Sequence, residues 1–309
     1  MELLAQMSKD TGLKRSDLLT VIIGAPHRYK VYEVPKRNGK GTRVIAQPAK
    51  EVKLLQRWAV ENILSELPLH ERATAYEKGS SIRENAVPHK DSNYLLKKDF
   101  KNFFPSIRAE DFAEHYEKYG SNYKTDQEIN LIQRLLFRRV QDRLELSIGA
   151  PSSPRLSNTI LFNLDNKIQS YCDSNGINYT RYADDLAFST KKSGILDDLN
   201  KWLGLAVREN PYPALEFNED KTLFLSRRGR RTVTGLVLTP TNRISIGRSR
   251  KREVKALVHR YTLHELSPEE LAYLRGLLSF CNDVESDFIR SLRRKYGDVV
   301  LAAIFRASE

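Results

Sequence analysis

The residues of this chain best suited to chemistry are acidic, and they lie in two places. Tyr182-Ala183-Asp184-Asp185 sits between two β-prone runs, Ile177 to Arg181 and Leu186 to Ser189, and reads as strand, two-acid turn, strand. At a hairpin tip, adjacent carboxylates can face one point beyond the sheet, whereas neighbours within a regular strand point to opposite faces. Such a pair suits a hard cation. Mg²⁺ needs only one or two carboxylates, with phosphate oxygens and water completing its shell. Asp197-Asp198 provides a comparison within the same chain: it precedes the helical spacing of Leu199 and Trp202, where acids complement the positive end of a helix dipole. The second acidic site is Asp99, which closes the apolar run Tyr94-Leu95-Leu96 ahead of Phe100-Lys101-Asn102-Phe103-Phe104-Pro105. An acid at a strand end, followed by a terminating proline, lies where sheets present catalytic groups. Simple pairing of Asp99 with Lys97 or Lys98 is the alternative. Two carboxylate strands acting together suit phosphoryl transfer with two cations held about 3.5 to 4 Å apart. The fold must then bring Asp99 beside Asp184.

The elements that would do this alternate. Helical spacing appears at Val52, Leu55, Ala59 and Ile63, at Leu156, Ile160, Leu164 and Ile168, and at Ile195, Leu199, Trp202 and Ala206. Between these lie the runs Tyr94 to Phe100, Ile177 to Tyr182, Leu186 to Ser189 and Thr232 to Leu238, with Asn175-Gly176 as a turn signal. The order predicts an α+β fold with hairpins. Lys36 to Arg43 has the composition of an exposed hairpin tip, since Asn38-Gly39 accepts the positive φ such turns need. Gly39-Lys40 is followed by Gly41 rather than Ser or Thr, so it is not a P-loop. After Pro240 the chain becomes basic and then helical around Val254 to Leu263 and Leu271 to Phe280, which predicts a C-terminal helical module over 241–309, distinct from 1–240.

Composition sets the class. Of 309 residues 40% are hydrophobic, enough for a buried core, and 51 Lys and Arg against 39 Asp and Glu leave a net charge of +12. Arg227 to Arg260 holds eleven Lys and Arg, Arg250, Lys251, Arg252 and Lys255 among them, with Glu253 as its one acid, so this span carries most of the excess. That is the footprint of a polyanion-binding surface, with a merely solvated basic face as the alternative. Two cysteines, Cys172 and Cys281, exclude a disulfide framework or a Cys-rich zinc cluster. The longest late apolar run, Val299 to Phe305, is too short to span a bilayer, and Met1 to Asp10 lacks the pattern of a signal peptide. A cytoplasmic protein without membrane partners is expected.

Taken together, the motifs resemble those of reverse transcriptases, and among them the bacterial retron type. Tyr182-Ala183-Asp184-Asp185 matches the family's Tyr-x-Asp-Asp, and Asp99 with Phe103-Phe104-Pro105-Ser106 resembles its first catalytic motif. Gly149-Ala150-Pro151-Ser152-Ser153-Pro154, then Leu156-Ser157-Asn158, resembles the loop and helix beneath template and nucleotide. Asn85-Ala86-Val87-Pro88-His89 resembles the retron Asn-Ala-x-x-His signature, and Val233-Thr234-Gly235 the Val-Thr-Gly signature, both associated in the family with gripping its own structured RNA.

The resemblance implies a right hand with fingers, a ferredoxin-like palm and a helical thumb. It implies Asp99, Asp184 and Asp185 as metal ligands for two Mg²⁺ ions, with the Phe100 carbonyl as a further ligand. It places Gly149 and Ala150 at the nucleotide, Lys221 near the leaving pyrophosphate as a proton donor, and Arg43 on the triphosphate. Phe104 would be the steric gate against a ribose 2′-OH, favouring deoxynucleoside triphosphates. Surface or core roles for Lys221 and Phe104 are the alternatives. Ile148 departs from the pattern, since many relatives carry Gln before the glycine. For function, the resemblance implies an RNA-directed DNA polymerase that binds a cognate noncoding RNA, primes from a guanosine 2′-OH and yields branched RNA-linked DNA. It further implies an anti-phage retron with a toxin or effector partner, and template removal by a host ribonuclease H. The alternatives are a group II intron or abortive-infection enzyme, or a non-catalytic RNA-binding module. Only 69 residues follow Pro240, which favours a retron over the intron type.

Overall fold

The computed structural model describes residues 1–36, 39, 41–77 and 79–306. The chain opens with helices α1 (Glu2–Thr11) and α2 (Arg15–Gly24), followed by strands β1 (Tyr29–Pro35) and β2 (Thr42–Pro48). These strands pair antiparallel from Tyr29↔Pro48 to Pro35↔Thr42. The expected turn lies between them; Gly39 has a φ of 70°, while Asn38 and Lys40 lie outside the described residues. Helix α3 (Lys50–Ala59) buries Val52, Leu55, Trp58 and Ala59, and continues as a π turn through Leu64. The short α4 (Ile82–Ala86) is capped by Ser81, whose hydroxyl accepts from the Glu84 N–H.

The central sheet is built from β3 (Tyr94–Asp99) and three later strands. Between come helices α5 (Phe103–Ser106), α6 (Ala109–Tyr119) and α7 (Asp126–Leu136), the hairpin β4 (Arg138–Val140) and β5 (Arg143–Glu145), and helices α8 (Ser153–Ile160) and α9 (Phe162–Asn175). Then follow β6 (Asn178–Tyr182), β7 (Asp185–Thr190), α10 (Ile195–Arg208) and β8 (Leu223–Ser226). The spacing from Leu156 to Ile168 predicts one helix, but the chain breaks at Leu161. Ser157 and Thr159 donate their hydroxyls to the carbonyls of Pro154 and Leu156, the back-bonding that bends helices. Asn175 ends α9, and Gly176 takes the left-handed φ of 67° that closes it.

The sheet order is β6-β7-β3-β8, with β7 antiparallel to both β6 and β3, and β8 antiparallel to β3. The α8–α9 pair connects β3 to β6, and α10 connects β7 to β8. This βαββαβ order is the ferredoxin-like arrangement expected of a palm. Alternation assigns its faces: Leu96, Leu186 and Phe188 enter the large core beneath the helices, while Leu95 and Ala187 enter a second core on the other face.

The second core is completed by β9 (Arg231–Val233), β10 (Leu236–Leu238), β11 (Ile244–Ser245) and four helices, α11 (Arg248–Thr262), α12 (Pro268–Val284), α13 (Ser286–Tyr296) and α14 (Asp298–Arg306). The run Thr232 to Leu238 is therefore not one strand but a hairpin. Thr234 and Gly235 form its two-residue turn, with φ of 45° and 81°. Apolar packing continues across Pro240, because β11 pairs with β10 and Val233, Leu236 and Leu238 pack in one cluster with Val254 and Leu278. Both cysteines are buried and free. Among the described residues no helix is long and apolar enough to cross a membrane.

Candidate active site

Asp99 and Asp185 are direct cross-strand partners at the end of the sheet, and Tyr182 pairs with Asp185 across the β6–β7 turn. The turn itself is only Ala183 and Asp184, with Ala183 at φ 59°. The Asp184 carbonyl accepts from the Phe100 N–H at 3.0 Å, so two segments 85 residues apart are joined by main-chain bonds where their carboxylates meet. On the other side of β3, the Asp99 carbonyl accepts from the Asn218 N–H at 2.7 Å, and Lys221 Nζ lies 2.6 Å from Asp99 Oδ1. Asp99 therefore pairs with neither Lys97 nor Lys98. Lys98 leaves the opposite face of the strand, where it is 2% exposed. There it donates to both Glu219 oxygens at 2.9 and 2.8 Å and to Asn200 Oδ1 at 3.0 Å, with its ammonium over the Phe217 ring. That grip holds the short 3₁₀ turn Glu219–Lys221, and with it Lys221, against β3.

The electrostatics are those of an acid cluster with too little positive charge. Burial raises the Asp184 carboxyl above its ordinary range, and Asp99 adds to the rise, while Lys221 and Arg43 oppose it. Asp185 is pushed up to about 6, first by burial; Lys97 opposes this, and Asp184 and Asp99 reinforce it. Among the described residues no group of three or more His, Cys, Asp or Glu side chains is placed to hold a metal ion by itself. An open site is what Mg²⁺ uses when substrate phosphates and water supply its remaining oxygens. The all-oxygen donor set, with surplus negative charge, fits such an ion.

Beneath the turn lies a support that sequence reasoning missed. Arg181, wholly buried, donates to Asp165 at 2.6 to 3.2 Å through Nε and Nη2, and through Nη1 to Asn158 Oδ1 at 3.1 Å and the Ala183 carbonyl at 3.2 Å. Tyr179 donates its hydroxyl to Asp165 at 2.7 Å. Burial opposes the charge on Arg181, and Asp165 more than restores it. The available signal was Arg181 itself, a lone cation in the otherwise uncharged strand that leads into the acids.

The residues expected at the nucleotide lie on separate elements. Arg43 on β2 is exposed, and its field reaches Asp184. Gly149 has a φ of 120°, and a side chain there would put its Cβ 2.9 Å from the Ala46 carbonyl oxygen. The Ala46 N–H donates to the Ile148 carbonyl at 2.8 Å, so the loop of Gly149 and the buried Ala150 is laced to the strand that carries Arg43. Ile148 thus contributes its main chain. The Phe100 ring stacks between Phe103 and Phe217, with centroids at 5.8 and 5.0 Å. Phe104 is half-buried and tilted against Phe103.

The two signature segments meet each other. Asn85 Nδ2 donates to Thr234 Oγ1 at 3.4 Å, and Thr234 donates to the Ile82 carbonyl at 3.1 Å. Asn85 is 2% exposed; His89 is wholly buried, with its ring nitrogens 2.8 Å from Ser189 Oγ and Thr180 Oγ1. Burial pushes His89 down to about 3, so its ring is neutral. Asn85, His89 and Val233 therefore face protein, and of these five residues Gly235 is the exposed one, beside the half-buried Thr234.

The basic span also divides. Arg231 is buried and donates to the Ser92 carbonyl, Lys251 pairs with Glu285 at 2.5 Å, Arg260 pairs with Glu270 at 2.7 Å, and Arg250 lies over the Phe280 ring. Arg228, Arg230, Arg243, Arg248, Arg252 and Lys255 are exposed.

Residues 34–261 match the family described as reverse transcriptase (RNA-dependent DNA polymerase). The chain is 38% identical to the Retron Ec83 reverse transcriptase of Escherichia coli over 292 residues, 91% of each chain. It is 35% identical to the Retron Ec86 reverse transcriptase of the same organism over 305 residues, 96% of this chain and 91% of that one. Among solved structures, telomerase from Candida tropicalis with a fragment of telomeric RNA aligns over 86% of this chain and 55% of that one, at 12% identity and a TM-score of 0.48. The chain thus belongs to the reverse transcriptases of the retron type, RNA-directed DNA polymerases with a right-hand fold.

Proposed function

We propose that Asp99, Asp184 and Asp185 form the catalytic centre, that its ions are Mg²⁺, and that the substrates are deoxynucleoside triphosphates. The observation that carries this is the cross-strand pairing of Asp99 with Asp185, which brings three carboxylates to one sheet end. When bound, two such ions would lower the barrier to attack of a hydroxyl on the α-phosphorus and neutralise the leaving pyrophosphate. The protein's own part is positional. The three carboxylates, with the Phe100 carbonyl, hold the ions; Arg43 pairs with the triphosphate; Gly149 and Ala150 let the nucleotide approach main chain; and Phe104 closes the space a 2′-OH would need. Lys221, already against Asp99, is close enough to the centre to give a proton to the departing pyrophosphate.

The template is a cognate structured noncoding RNA, primed from a guanosine 2′-OH to give branched RNA-linked DNA, in an anti-phage retron with an effector protein. Likeness to retron enzymes over nine-tenths of the chain supports this reading. Residues 1–240 serve as fingers and palm and 241–309 as thumb, working in the cytoplasm, with host ribonuclease H removing template. Arg250, Arg252 and Lys255 belong to the RNA-facing surface, while Lys251, expected there from the sequence, is paired with Glu285 and braces the start of α11. Asn85, His89 and Val233 shape the RNA site from behind Thr234 and Gly235.

Primer extension by Asp184→Asn, with melting temperature as the folding control, tests the centre. Incorporation should fall to background in a folded variant. Equal incorporation by variant and wild type would reject catalysis here.

A further inference from the structure

Tyr76 stands out beside the acids. It is an aromatic residue at φ 69°, a backbone region that bulky side chains avoid, and it is 49% exposed, so no core holds it there. Its ring centroid lies 6.5 Å from that of Tyr182, the first residue of the Tyr-x-Asp-Asp turn. Burial raises its phenol, Asp184 raises it further, and Arg43 opposes, so the ring shares the field of the site.

Both flanks of Tyr76 are pinned to the machinery under the acids. Thr74 donates its N–H to the Arg181 carbonyl at 2.8 Å and its hydroxyl to Asn85 Oδ1 at 2.8 Å. Asn158 Nδ2, on α8, donates to the Ala75 carbonyl at 2.8 Å. On the far side, Glu77 accepts from Arg155 at 2.6 Å, and Arg155 also donates to the carbonyls of Leu64 and Ser65. A strained residue persists only where its surroundings over-determine it, and such strain collects at functional sites. Here the bonds on either side fix the main chain and leave the ring half-exposed next to Tyr182.

We propose that Tyr76, with Tyr182, forms a stacking platform for a nucleobase of the template–primer at the reacting centre. The inference rests on the polymerase reading above and adds a residue to it. Every base has a π face, so a Tyr platform serves any template sequence, as a copying enzyme requires. Tyr76 touches the nucleic acid in this scheme and takes no part in bond making; it is a positioning residue.

Extension of a DNA primer on an RNA template, using the full chain, gives the test. Tyr76→Ala should raise the KM for template–primer by roughly tenfold, the weight of one aromatic–base stack, and move kcat less. Tyr76→Phe should stay near wild type. Tyr76→Gly relieves the backbone, so it should melt no lower than wild type yet bind as weakly as Tyr76→Ala, which separates stacking from folding. A 2-aminopurine probe at the templating position in one duplex, and at the primer 3′ end in another, reports which base rests on the ring: its fluorescence in the complex should differ between wild type and Tyr76→Ala at one of the two. No difference at either position overturns the platform, as does a Tyr76→Phe variant as weak as Tyr76→Ala. Failure of the wild-type protein to extend any primer would instead sink the polymerase reading, and the platform with it.

Discussion

At the scale of single residues, Asp185 makes the acid cluster measurable without turnover. Its carboxyl is held up at about 6 by burial and by Asp184 and Asp99, whereas an unfolded chain's Asp titrates near 3.9. The native state therefore binds this proton more tightly than the unfolded state, so the stability it contributes is present below about pH 4 and is lost as pH rises to 6. Asp185→Asn should melt a few degrees above wild type in chelator at pH 7.5, with the gap closing toward pH 4. Millimolar Mg²⁺ should raise the wild-type midpoint more than the variant's, since an ion that binds only the folded state stabilises it. Superimposable melting curves at both pH values would show that the three charges do not strain the fold. The placement of the acids at strand ends was legible because each borders a β-prone run. Their partner was not: Lys221 lies 122 residues from Asp99, and only alternation along β3, which turns Lys98 to the other face, removes the nearer lysine from contention.

At the scale of elements, the β6–β7 hairpin depends on a buried ion pair rather than on turn chemistry. Ala183 has no intrinsic preference for positive φ, and its carbonyl is held by Arg181, whose charge is met by Asp165. Removing one member of a buried pair strands the other, at a cost of about 3 to 5 kcal/mol. Asp165→Ala should lower stability to denaturant by about that much. The double change Arg181→Met with Asp165→Leu should recover much of that stability, because apolar replacements of buried pairs are often neutral, yet extend primers poorly because nothing then holds the Ala183 carbonyl. A double variant that extends at the wild-type rate would reduce the network to packing. Legibility failed at this scale wherever a distant partner outvoted local preference. Thr232 to Leu238 reads as one strand because Thr is β-branched and favours extended backbone. In the fold, Thr234 is bent to positive φ and held by Ile82 and Asn85, about 150 residues upstream. The helical spacing from Leu156 to Ile168 kept its buried face, while the rod breaks at Leu161, just after the hydroxyl back-bonds of Ser157 and Thr159.

For the whole molecule, charge counted along the chain and charge offered to a partner are different quantities. Arg227 to Arg260 read as one polyanion footprint, but folding withdraws Arg231 into the interior and ties Lys251 to Glu285 and Arg260 to Glu270. Cations already paired release no counterions from RNA, so the salt dependence of binding should follow the exposed set. Within that set, Arg248, Arg252 and Lys255 are spaced by four and three residues along α11 and share one helical face. Replacing Arg248 and Arg252 together by Ala should reduce the slope of log affinity against log salt by roughly 0.7 to 0.9 for each phosphate that is no longer neutralised, with little change in melting temperature. Lys251→Ala should do the reverse, lowering the melting temperature because Glu285 also anchors Ser245 and the Ile246 N–H, while leaving the slope where it was. Binding of a structured RNA followed across roughly 50 to 200 mM salt, a range over which phosphate-driven affinity falls steeply, distinguishes the two behaviours. An unchanged slope in the α11 double variant would mean that this helix face is solvated surface and that the RNA-binding charge lies elsewhere on the molecule.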